Sequence, residues 1–552
     1  MNNLIELSSK SNEGDDDLSF RDTKPRNDIS ARKYLDIAIL VTALIVAFVY
    51  WSLISLLKFY YFQATVFDLG INMQNLWSIT HSTWTLHRLI FQIDYQGIAF
   101  ILFPLLYGGY PVLLMFQSLI ISAGAIAIYY ISLIKGIDSR SSLFISAAYL
   151  LYFPVSGMTW FDFHFQSLFV PLFLFAYLAY VKEKYWLASI IFLVSGLVRF
   201  PYAIFPMIFW TLSLVLDQKQ NHSRRLIYYA AGNVILYLLI LVSSYFLLRN
   251  GSIETHFTQV INPFYNLPIK LITIFVLLVP VLFIPVLSAR WYIFIAPFAF
   301  LLFFANNPIY EFPWIFMLQY SASFIPFVFL IVIECLSPYN SKYRKQSKLN
   351  FLSSIIRKLP KPRRQWKKSI RKITGVLLVT SFCSAVIYQA IGPIAILDRD
   401  GLTLESVSQF NQVELKQFSN VSALIPKNCS YVLIQNNLPQ ILPGPAGNDV
   451  RVPGDIGPNI TLSDIANNTF PWIFGVSKSV TPINYVIGDL NISQCYNQSM
   501  VKGFPTMENI SAIFISSGYY GLLGIDGVFF VLERGYKGPP IIFQPGNVRN
   551  AS

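Results

Sequence analysis

Long apolar segments separated by short polar connections dominate most of the chain. Many are roughly 15–25 residues long, the length at which a helix crosses the ~30 Å hydrocarbon layer of a bilayer. They predict about eleven transmembrane spans, at 35–57, 111–134, 142–158, 167–181, 185–199, 201–216, 226–248, 267–287, 291–305, 317–337 and 374–396. The pattern therefore indicates a polytopic α-helical membrane protein.

One apolar segment is too short for this series. Residues 98–107 end at Gly108-Gly109-Tyr110-Pro111, and about ten helical residues cover only roughly 15 Å. We expect an interfacial or re-entrant helix here rather than a span. Without this segment in the count, the Lys/Arg-rich connections fall on one side of the membrane, which the positive-inside rule assigns to the cytoplasm.

Charge adds one feature to this topology. The chain is 54% hydrophobic and 12% charged, with a formal net charge of +13. The predicted cytoplasmic loop 338–373 holds thirteen Lys/Arg between Lys342 and Lys372 and no acidic residue, so it accounts for the whole excess. Such a loop suits a cytoplasmic surface facing anionic lipid. No nucleic-acid-binding motif accompanies it, so no nucleic-acid partner is expected.

The domain organisation follows from these segments. Residues 1–34 are polar and of mixed charge, as in a disordered cytoplasmic tail. Residues 35–396 form the transmembrane domain, with a first external loop at 58–110. Residues 397–552 predict an external α/β domain. Within it, a helix is expected in 401–424 and short buried strands are expected at 430–435, 485–488, 512–516 and 527–532.

Glycosylation sequons are concentrated in this last domain. Eight Asn-x-Ser/Thr sequons occur there, at Asn420, Asn428, Asn459, Asn467, Asn491, Asn497, Asn509 and Asn550, and Asn250 lies in a predicted external connection. Because sequons are used only on the outer face, they predict an external, glycosylated tail on a multi-pass plasma-membrane protein. Cys429 and Cys495 are the only Cys in the tail, and their external position permits a disulfide.

Polar residues recur in the predicted external connections. They are Asp68, Gln74, Arg88 and Asp94 in the first loop, Asp162 and His164 after the third span, Arg199 at the end of the fifth, and Glu311 before the tenth. Ionisable groups close to hydrocarbon are costly and often functional. The alternatives are structural: Asp68 could cap a helix, 162–164 could be an extended turn, and Arg199 could snorkel to the interface.

Several of these residues carry a family resemblance. The series Phe67-Asp68-Leu69-Gly70, Gln74, Trp77, Pro104, Leu105, Gln117, Pro154 and Asp162-Phe163-His164 resembles the prokaryotic, in particular archaeal, membrane family catalogued as domain of unknown function 2079. The tail continues it with Ile425-Pro426, Gln435-Asn436-Asn437-Leu438, Gly488-Asp489, Gly524-Ile525-Asp526-Gly527 and Arg534-Gly535-Tyr536.

The resemblance implies an activity. That family is similar to the GT-C superfamily of membrane glycosyltransferases, which move a sugar from a polyprenyl-phosphate donor to an acceptor at the outer face. In such an enzyme Asp68 would be the general base or a metal ligand. Asp162 would match the acidic position after the third span, and a divalent cation could lie between the two. Arg199 or Arg88 would bind the leaving lipid phosphate.

The chain departs from the family at two places. Gln96 stands where a His is usual, and Val198-Arg199-Phe200 replaces a Lys-Glu-Asp run. A mechanism that needs three carboxylates is therefore not implied.

Two other functions stay open: a transporter or lipid flippase, and a catalytically inactive protein of the cell envelope. Polar residues converging on one outward cavity would favour the transferase, whereas polar residues strung along the bilayer normal would favour transport.

Overall fold

The computed structural model has a helical part and a smaller part built on a sheet. It describes residues 26–60, 64, 69–70, 72–73, 76, 79, 97–160, 162–217, 224–248, 264–287, 292–304, 319–337, 363–391, 412–426, 431–434, 449–451, 462–467, 483–489 and 507–543.

Apolar helices make up the first part. They are α1 (Arg26–Tyr60), α2 (Ala99–Leu102), α3 (Gly109–Ile134), α4 (Ser139–Leu150), α5 (Phe153–Trp160), α6 (Phe169–Val181), α7 (Tyr185–Gly196), α8 (Ile204–Asp217), α9 (Arg224–Leu248), α10 (Leu267–Leu278), α11 (Tyr292–Phe304), α12 (Ile325–Leu336) and α13 (Arg363–Ile391). Short 3₁₀ helices join some of them, at Phe103–Gly108, Phe165–Leu168, Phe200–Ala203, Val279–Val281, Ile284–Leu287 and Gln319–Ser323. Because α1 begins at Arg26, it takes in the basic end of the N-terminal segment.

The described helices differ in whether they are long enough to cross a membrane. Four stretches are long and apolar enough to span a bilayer, namely Tyr34–Tyr60, Ala99–Ile134, Arg224–Val242 and Lys368–Ile387. The bent pair α4 and α5, which meet at 49°, could count as a fifth. The other apolar helices have 10–17 residues. Helices thus lie at the predicted apolar segments, while the total of about eleven spans stays a prediction.

The short segment before α3 has a structure of its own. Helix α2 has four residues and continues into the 3₁₀ helix Phe103–Gly108. Gly109 then takes φ +68°, a left-handed conformation that L side chains rarely adopt. Ala99–Ile134 as a whole is nevertheless one of the four stretches long and apolar enough to span a bilayer, so a non-spanning helix at 98–107 stays a prediction.

Aromatic rings fill the core of the bundle. Phe327 of α12 lies 4.8 Å from Phe173 of α6 and 4.8 Å from Phe294 of α11, between ring centroids. Phe192 of α7 and Phe209 of α8 meet at 4.7 Å. Such ring pairs add stabilisation beyond the area they bury. Many large apolar side chains of the long helices are instead exposed on the outside, as expected of a surface that faces lipid.

Two predicted cytoplasmic connections lie side by side. The Arg371 side chain on α13 donates from Nε to Oδ2 of Asp138, which precedes α4, at 2.8 Å. Ser337, after α12, donates from Oγ to the carbonyl of Lys135 at 2.7 Å. The end of the basic loop 338–373 is therefore attached to the connection that follows α3.

The tail contains a six-stranded sheet. Its strands are β1 (Tyr431–Ile434), β2 (Asp449–Arg451), β3 (Tyr485–Asp489), β4 (Tyr520–Asp526), β5 (Phe529–Arg534) and β6 (Ile541–Ile542), in the order β2-β1-β3-β5-β4-β6. The pairs β1–β2, β1–β3 and β4–β6 are parallel, and β5 runs antiparallel to β3 and β4. Neighbouring side chains alternate between the two faces, so each face has its own apolar cluster.

Helices cover both faces of this sheet. They are α14 (Gln412–Ser422), α15 (Leu462–Asn467) and α16 (Met507–Ser516). The predicted strand at 512–516 is wrong, because these residues end α16. The run Ile513-Phe514-Ile515 is apolar enough for a strand, but burial recurs at Ser511 and Phe514, the spacing of one helix face.

One side chain joins α15 to the sheet. Arg534 donates to the carbonyls of Ile465 and Ala466 at 2.7 and 2.8 Å. Its guanidinium also lies over the rings of Tyr519 and Tyr520, at 5.4 and 5.6 Å from their centroids. Burial raises the pKa of the Tyr520 hydroxyl to about 12, although Arg534 acts in the opposite direction.

Candidate functional site

A buried ion pair lies where the first helix ends. Lys58, two residues before the end of α1, places its Nζ 2.8 Å from Oδ1 of Asp162. The two side chains are only 6% and 1% exposed. Charges taken out of water are costly unless they are paired, so this pair marks a specialised place in an apolar bundle.

The backbone that carries Asp162 is extended and held by side chains. Helix α5 ends at Trp160, and His164 has φ −136° and ψ 128°. Asn72 of the first loop donates from Nδ2 to the carbonyl of Phe163 at 2.9 Å. Gln117 of α3 accepts from the backbone N–H of His164 at 2.8 Å. Buried backbone groups need hydrogen-bond partners. The side-chain amides of Asn72 and Gln117 pair with the Phe163 carbonyl and the His164 N–H, so the helix can end here without the cost of leaving these two groups unpaired.

Gln117 serves two neighbouring segments at once. Its Oε1 accepts from His164, and its Nε2 donates to the carbonyl of Met158 in the last turns of α5 at 3.0 Å. Ser55 of α1 adds a parallel contact, since its Oγ donates to the carbonyl of Thr159 at 2.8 Å. Helices α1 and α3 thus both hold the end of α5 and the extended residues after it.

Arg199 reaches the same region through a glutamine. It follows α7, and its Nη1 donates to Oε1 of Gln166 at 3.0 Å. Gln166 lies in the 3₁₀ helix that comes directly after His164. Nearby, the N–H of Ile98 donates to the carbonyl of Leu197 at 3.0 Å. The segment before α2 therefore packs against the chain that leads to Arg199.

Only some of the predicted site residues are described. The structure describes Asp162, His164 and Arg199 and brings all three to the same end of the bundle. Asp162 and His164 are buried there. Outside the described residues lie Asp68, Gln74, Arg88, Asp94 and Glu311. Of the first loop, Leu69, Met73 and Leu76 are fully buried, so parts of that loop are packed into the core.

Sequence reasoning missed Lys58 and Asn72 as members of this site. Lys58 did carry a usable signal. It is a lysine at the predicted outer end of an apolar span, where the positive-inside rule makes basic residues less expected. Asn72 had no comparable signal, because asparagines are common in loops. Gln117 was noticed only as part of the family resemblance, without a role.

The residues around Asp162 do not favour a metal there. Its carboxylate is engaged by an ammonium group, which a cation would have to displace. Among the described parts of the chain, no three His, Cys, Asp or Glu side chains are grouped so that they could hold a metal. A cation shared by Asp68 and Asp162 stays a prediction, because Asp68 lies outside those parts.

The predicted glycosylation and disulfide residues of the tail are also described only in part. Asn420 and Asn467 are described with their side chains, and Asn509 lies in helix α16. The other predicted glycosylation sites, Asn250, Asn428, Asn459, Asn491, Asn497 and Asn550, lie outside the described residues, and so do Cys429 and Cys495. The proposed disulfide and most of the sequons therefore stay predictions.

An apolar helix bundle with an exposed apolar surface and a buried charged site at one end defines a helical membrane protein. The chain belongs to the family of predicted membrane proteins catalogued as domain of unknown function 2079, whose sequence profile matches residues 58–443. The match begins at Lys58 and includes every residue of the site from Lys58 to Arg199. The family part of the predicted resemblance is thereby confirmed for these residues, whereas the tail motifs from Gly488 to Tyr536 lie outside the match. No curated protein matches the chain.

Proposed function

We propose that this chain is a GT-C-like membrane glycosyltransferase that moves a sugar from a polyprenyl-phosphate donor to an acceptor at the outer membrane face. The observation that carries the proposal is the buried Lys58–Asp162 pair at one end of the bundle, together with Arg199, which is bonded to Gln166 four residues after Asp162. A cytoplasmic N-terminus, an external tail and a plasma-membrane location belong to the same proposal.

The position of the buried charges supports a transferase over a transporter. Among the described bundle residues, the buried Lys, Arg, Asp and Glu side chains are Lys58, Asp162 and Lys270. Lys270 lies in the first turn of α10 and donates to the carbonyl of Phe303, near the end of α11, at 3.0 Å. All three charges thus lie at helix ends. A transport pathway would instead place them at intervals along the bilayer normal.

A lipid-linked phosphate needs a cation at the depth of the headgroups. Arg199 is partly exposed, and its guanidinium can make two parallel hydrogen bonds to phosphate oxygens. Gln166 bonds one of its nitrogens and so limits the directions in which the group can point. Arg199 is therefore the group proposed to bind the leaving phosphate.

Asp68 is the proposed general base. In the proposed reaction Asp68 takes the proton of the acceptor hydroxyl while the oxygen attacks the anomeric carbon, and the bond from that carbon to the phosphate oxygen breaks. The contact between Asn72, four residues further on, and Phe163 supports a location of this loop beside the 162–164 segment. Asp162 is paired with Lys58, so its role here is to position rather than to accept a proton.

The test measures loss of sugar from the donor lipid. The purified full chain is reconstituted in vesicles and incubated with polyprenyl-phosphate monosaccharides labelled in the sugar, together with an extract of cell-envelope acceptors. We expect wild type to discharge at least one donor. Asp68→Asn should slow the discharge by about 100-fold, in the range that a lost general base produces. Arg199→Met should slow it as well, because the leaving phosphate loses the guanidinium that binds it.

Asp138→Asn is the matched control, because it makes the same Asp-to-Asn change as Asp68→Asn but lies at the other end of α3. Its rate should equal that of wild type. If folded wild type discharges no donor but moves the labelled lipid between leaflets, the chain is a flippase. If it does neither, the chain is an inactive envelope protein and the transferase proposal is wrong.

A further inference from the structure

Two sequons of the tail differ in what their asparagines do. Asn420 lies in α14 and Asn467 is the last residue of α15. We infer that Asn467 carries an N-linked glycan, whereas Asn420 is a structural residue that stays unmodified. The inference rests on the outward-facing tail of the proposed function, and it is independent of any transferase chemistry of this chain.

The side-chain nitrogen of Asn420 is already engaged. Its Nδ2, the atom to which a glycan would be attached, donates to Oδ2 of Asp526 at 2.8 Å. Asp526 ends β4 and is only 5% exposed. A hydrogen bond to a buried carboxylate is stronger than one between neutral groups, so breaking it to free Nδ2 is costly.

The same face of α14 makes a second contact with this turn. Gln417 lies three residues before Asn420, and Gly527 follows Asp526 in the turn between β4 and β5. Gly527 has φ +59°, and a Cβ placed on it would lie 2.4 Å from the Gln417 side chain. Gln417 and Asn420 therefore dock α14 closely onto the turn, which leaves no room between helix and turn for a bulky sugar.

The backbone of the Asn420 sequon is also fixed. Its middle residue, Val421, is fully buried, and Phe418, two residues before Asn420, meets Phe529 edge to face with 5.4 Å between ring centroids. An enzyme that modifies the folded domain would have to pull this helix away from the sheet. That movement would expose buried apolar surface to water, and its cost opposes the reaction at this site.

Asn467 is placed differently. It is exposed, and within the described residues its Nδ2 makes a long hydrogen bond of 3.2 Å to Oγ of Ser463, which is exposed as well. Arg534 holds the carbonyls of the two preceding residues, so the helix end is fixed while the asparagine stays accessible. Nδ2 of Asn467 can therefore be reached without unfolding any part of the sheet.

The modification is a group transfer by a separate enzyme. The donor is an oligosaccharide linked through its anomeric carbon to a lipid phosphate. A bond forms from Nδ2 of Asn467 to that carbon, and the bond from the carbon to the phosphate oxygen breaks. The lipid phosphate leaves with the bonding electrons, and a base of the separate enzyme takes the proton that Nδ2 loses.

The experiment compares sequon variants that spare the asparagines. The full chain is produced in a host with its own N-glycosylation enzymes, and glycan occupancy is measured by mass spectrometry of peptides and by electrophoretic mobility. We expect a glycan on Asn467 that is lost in Thr469→Ala. Ser422→Ala destroys the other sequon without touching the bond from Asn420 to Asp526, and it should leave the glycan mass of the protein unchanged.

Asn420→Gln adds a second measurement. It should leave glycan mass unchanged but lower the unfolding temperature of the protein, since the bond to Asp526 is disturbed. A glycan found on Asn420, or none on Asn467 while other tail sequons are occupied, overturns the inference alone. If the tail carries no glycan at all, both the inference and the outward-facing tail are wrong.

Discussion

The two ends of the helix bundle each contain an ion pair with the same separation and a different environment. Lys58 and Asp162 are 2.8 Å apart, with side chains 6% and 1% exposed. Arg371 and Asp138 are also 2.8 Å apart, but their side chains are 50% and 16% exposed. Distance alone therefore does not distinguish a site from an ordinary surface contact, whereas burial does.

The difference has a physical cause. Water and salt screen the exposed pair, so its net contribution to stability is about 0–1 kcal/mol. The buried pair interacts more strongly, but each charge has lost its hydration, so removing one partner is costly. The neighbours differ accordingly. The buried carboxylate follows a helix end held by Ser55 and Gln117, whereas Asp138 also accepts from Ser141 at 2.7 Å at the start of its own helix.

The largest effect is expected when the buried ammonium is removed. Lys58→Met should lower the free energy of unfolding by about 3–5 kcal/mol, because Asp162 stays in the bundle without the ammonium that offsets its charge. Unfolding of the purified protein in a denaturing detergent, followed by circular dichroism, measures this value.

The double variant Lys58→Met/Asp162→Asn is the control for this prediction. It removes both charges and should recover most of the lost stability, as neutral replacements of buried ion pairs often do. If Lys58→Met is as stable as wild type, the pair is not buried as described, and the contrast between the two ends of the bundle disappears.

A smaller loss is expected at the glutamine that holds the extended segment. Gln117→Leu removes the acceptor of the His164 N–H and the donor to Met158, which should cost about 1–3 kcal/mol. Thermal unfolding of the variant in detergent micelles measures it.

Ser118→Ala is its matched control. Ser118 is the next residue of α3 and equally buried, but in the described part of the chain its Oγ donates to the carbonyl of Leu114 in the same helix. Ser118→Ala should lower the free energy of unfolding by less than about 1 kcal/mol. Equal losses for the two variants would mean that the bonds to the 162–164 segment add nothing, and that the segment is held by apolar packing alone.

The smallest effect is expected at the exposed pair. Asp138→Asn should change the free energy of unfolding by less than about 1 kcal/mol, because asparagine can still precede a helix and the lost ion pair is screened. Measured at low and high salt, the difference from wild type should shrink as salt is added. A loss as large as that of Lys58→Met would show that burial is not what separates the two pairs.

Local sequence patterns predict several elements correctly. The predicted span 226–248 matches α9 (Arg224–Leu248), and 111–134 matches α3 (Gly109–Ile134). The predicted strand at 485–488 lies within β3. Each of these elements depends on apolar residues close together in the chain. At 512–516 the same kind of pattern predicts a strand where the structure has a helix. A short apolar run is compatible with either element, and its packing partner decides between them.

The site could be predicted only in part, for a related reason. Asp162, His164 and Arg199 stood out as ionisable residues at the ends of apolar segments. Their partners did not. Lys58 is 104 residues from Asp162 in the chain, and Asn72 is 91 residues from Phe163. Arg199 is 33 residues from Gln166. No periodicity or motif links residues at such separations.

The amino-acid sequence by itself thus determined where the apolar helices lie, that the protein belongs in a membrane, and which ionisable residues are costly enough to notice. These properties depend on hydrophobicity and spacing along the chain. Only the tertiary structure decided that Lys58 offsets the charge of Asp162, that Asn72 and Gln117 hold the segment after it, and that Asn420 docks a helix onto a sheet. Those contacts depend on how distant helices and strands pack, and the same side chains could have faced lipid or water in another arrangement.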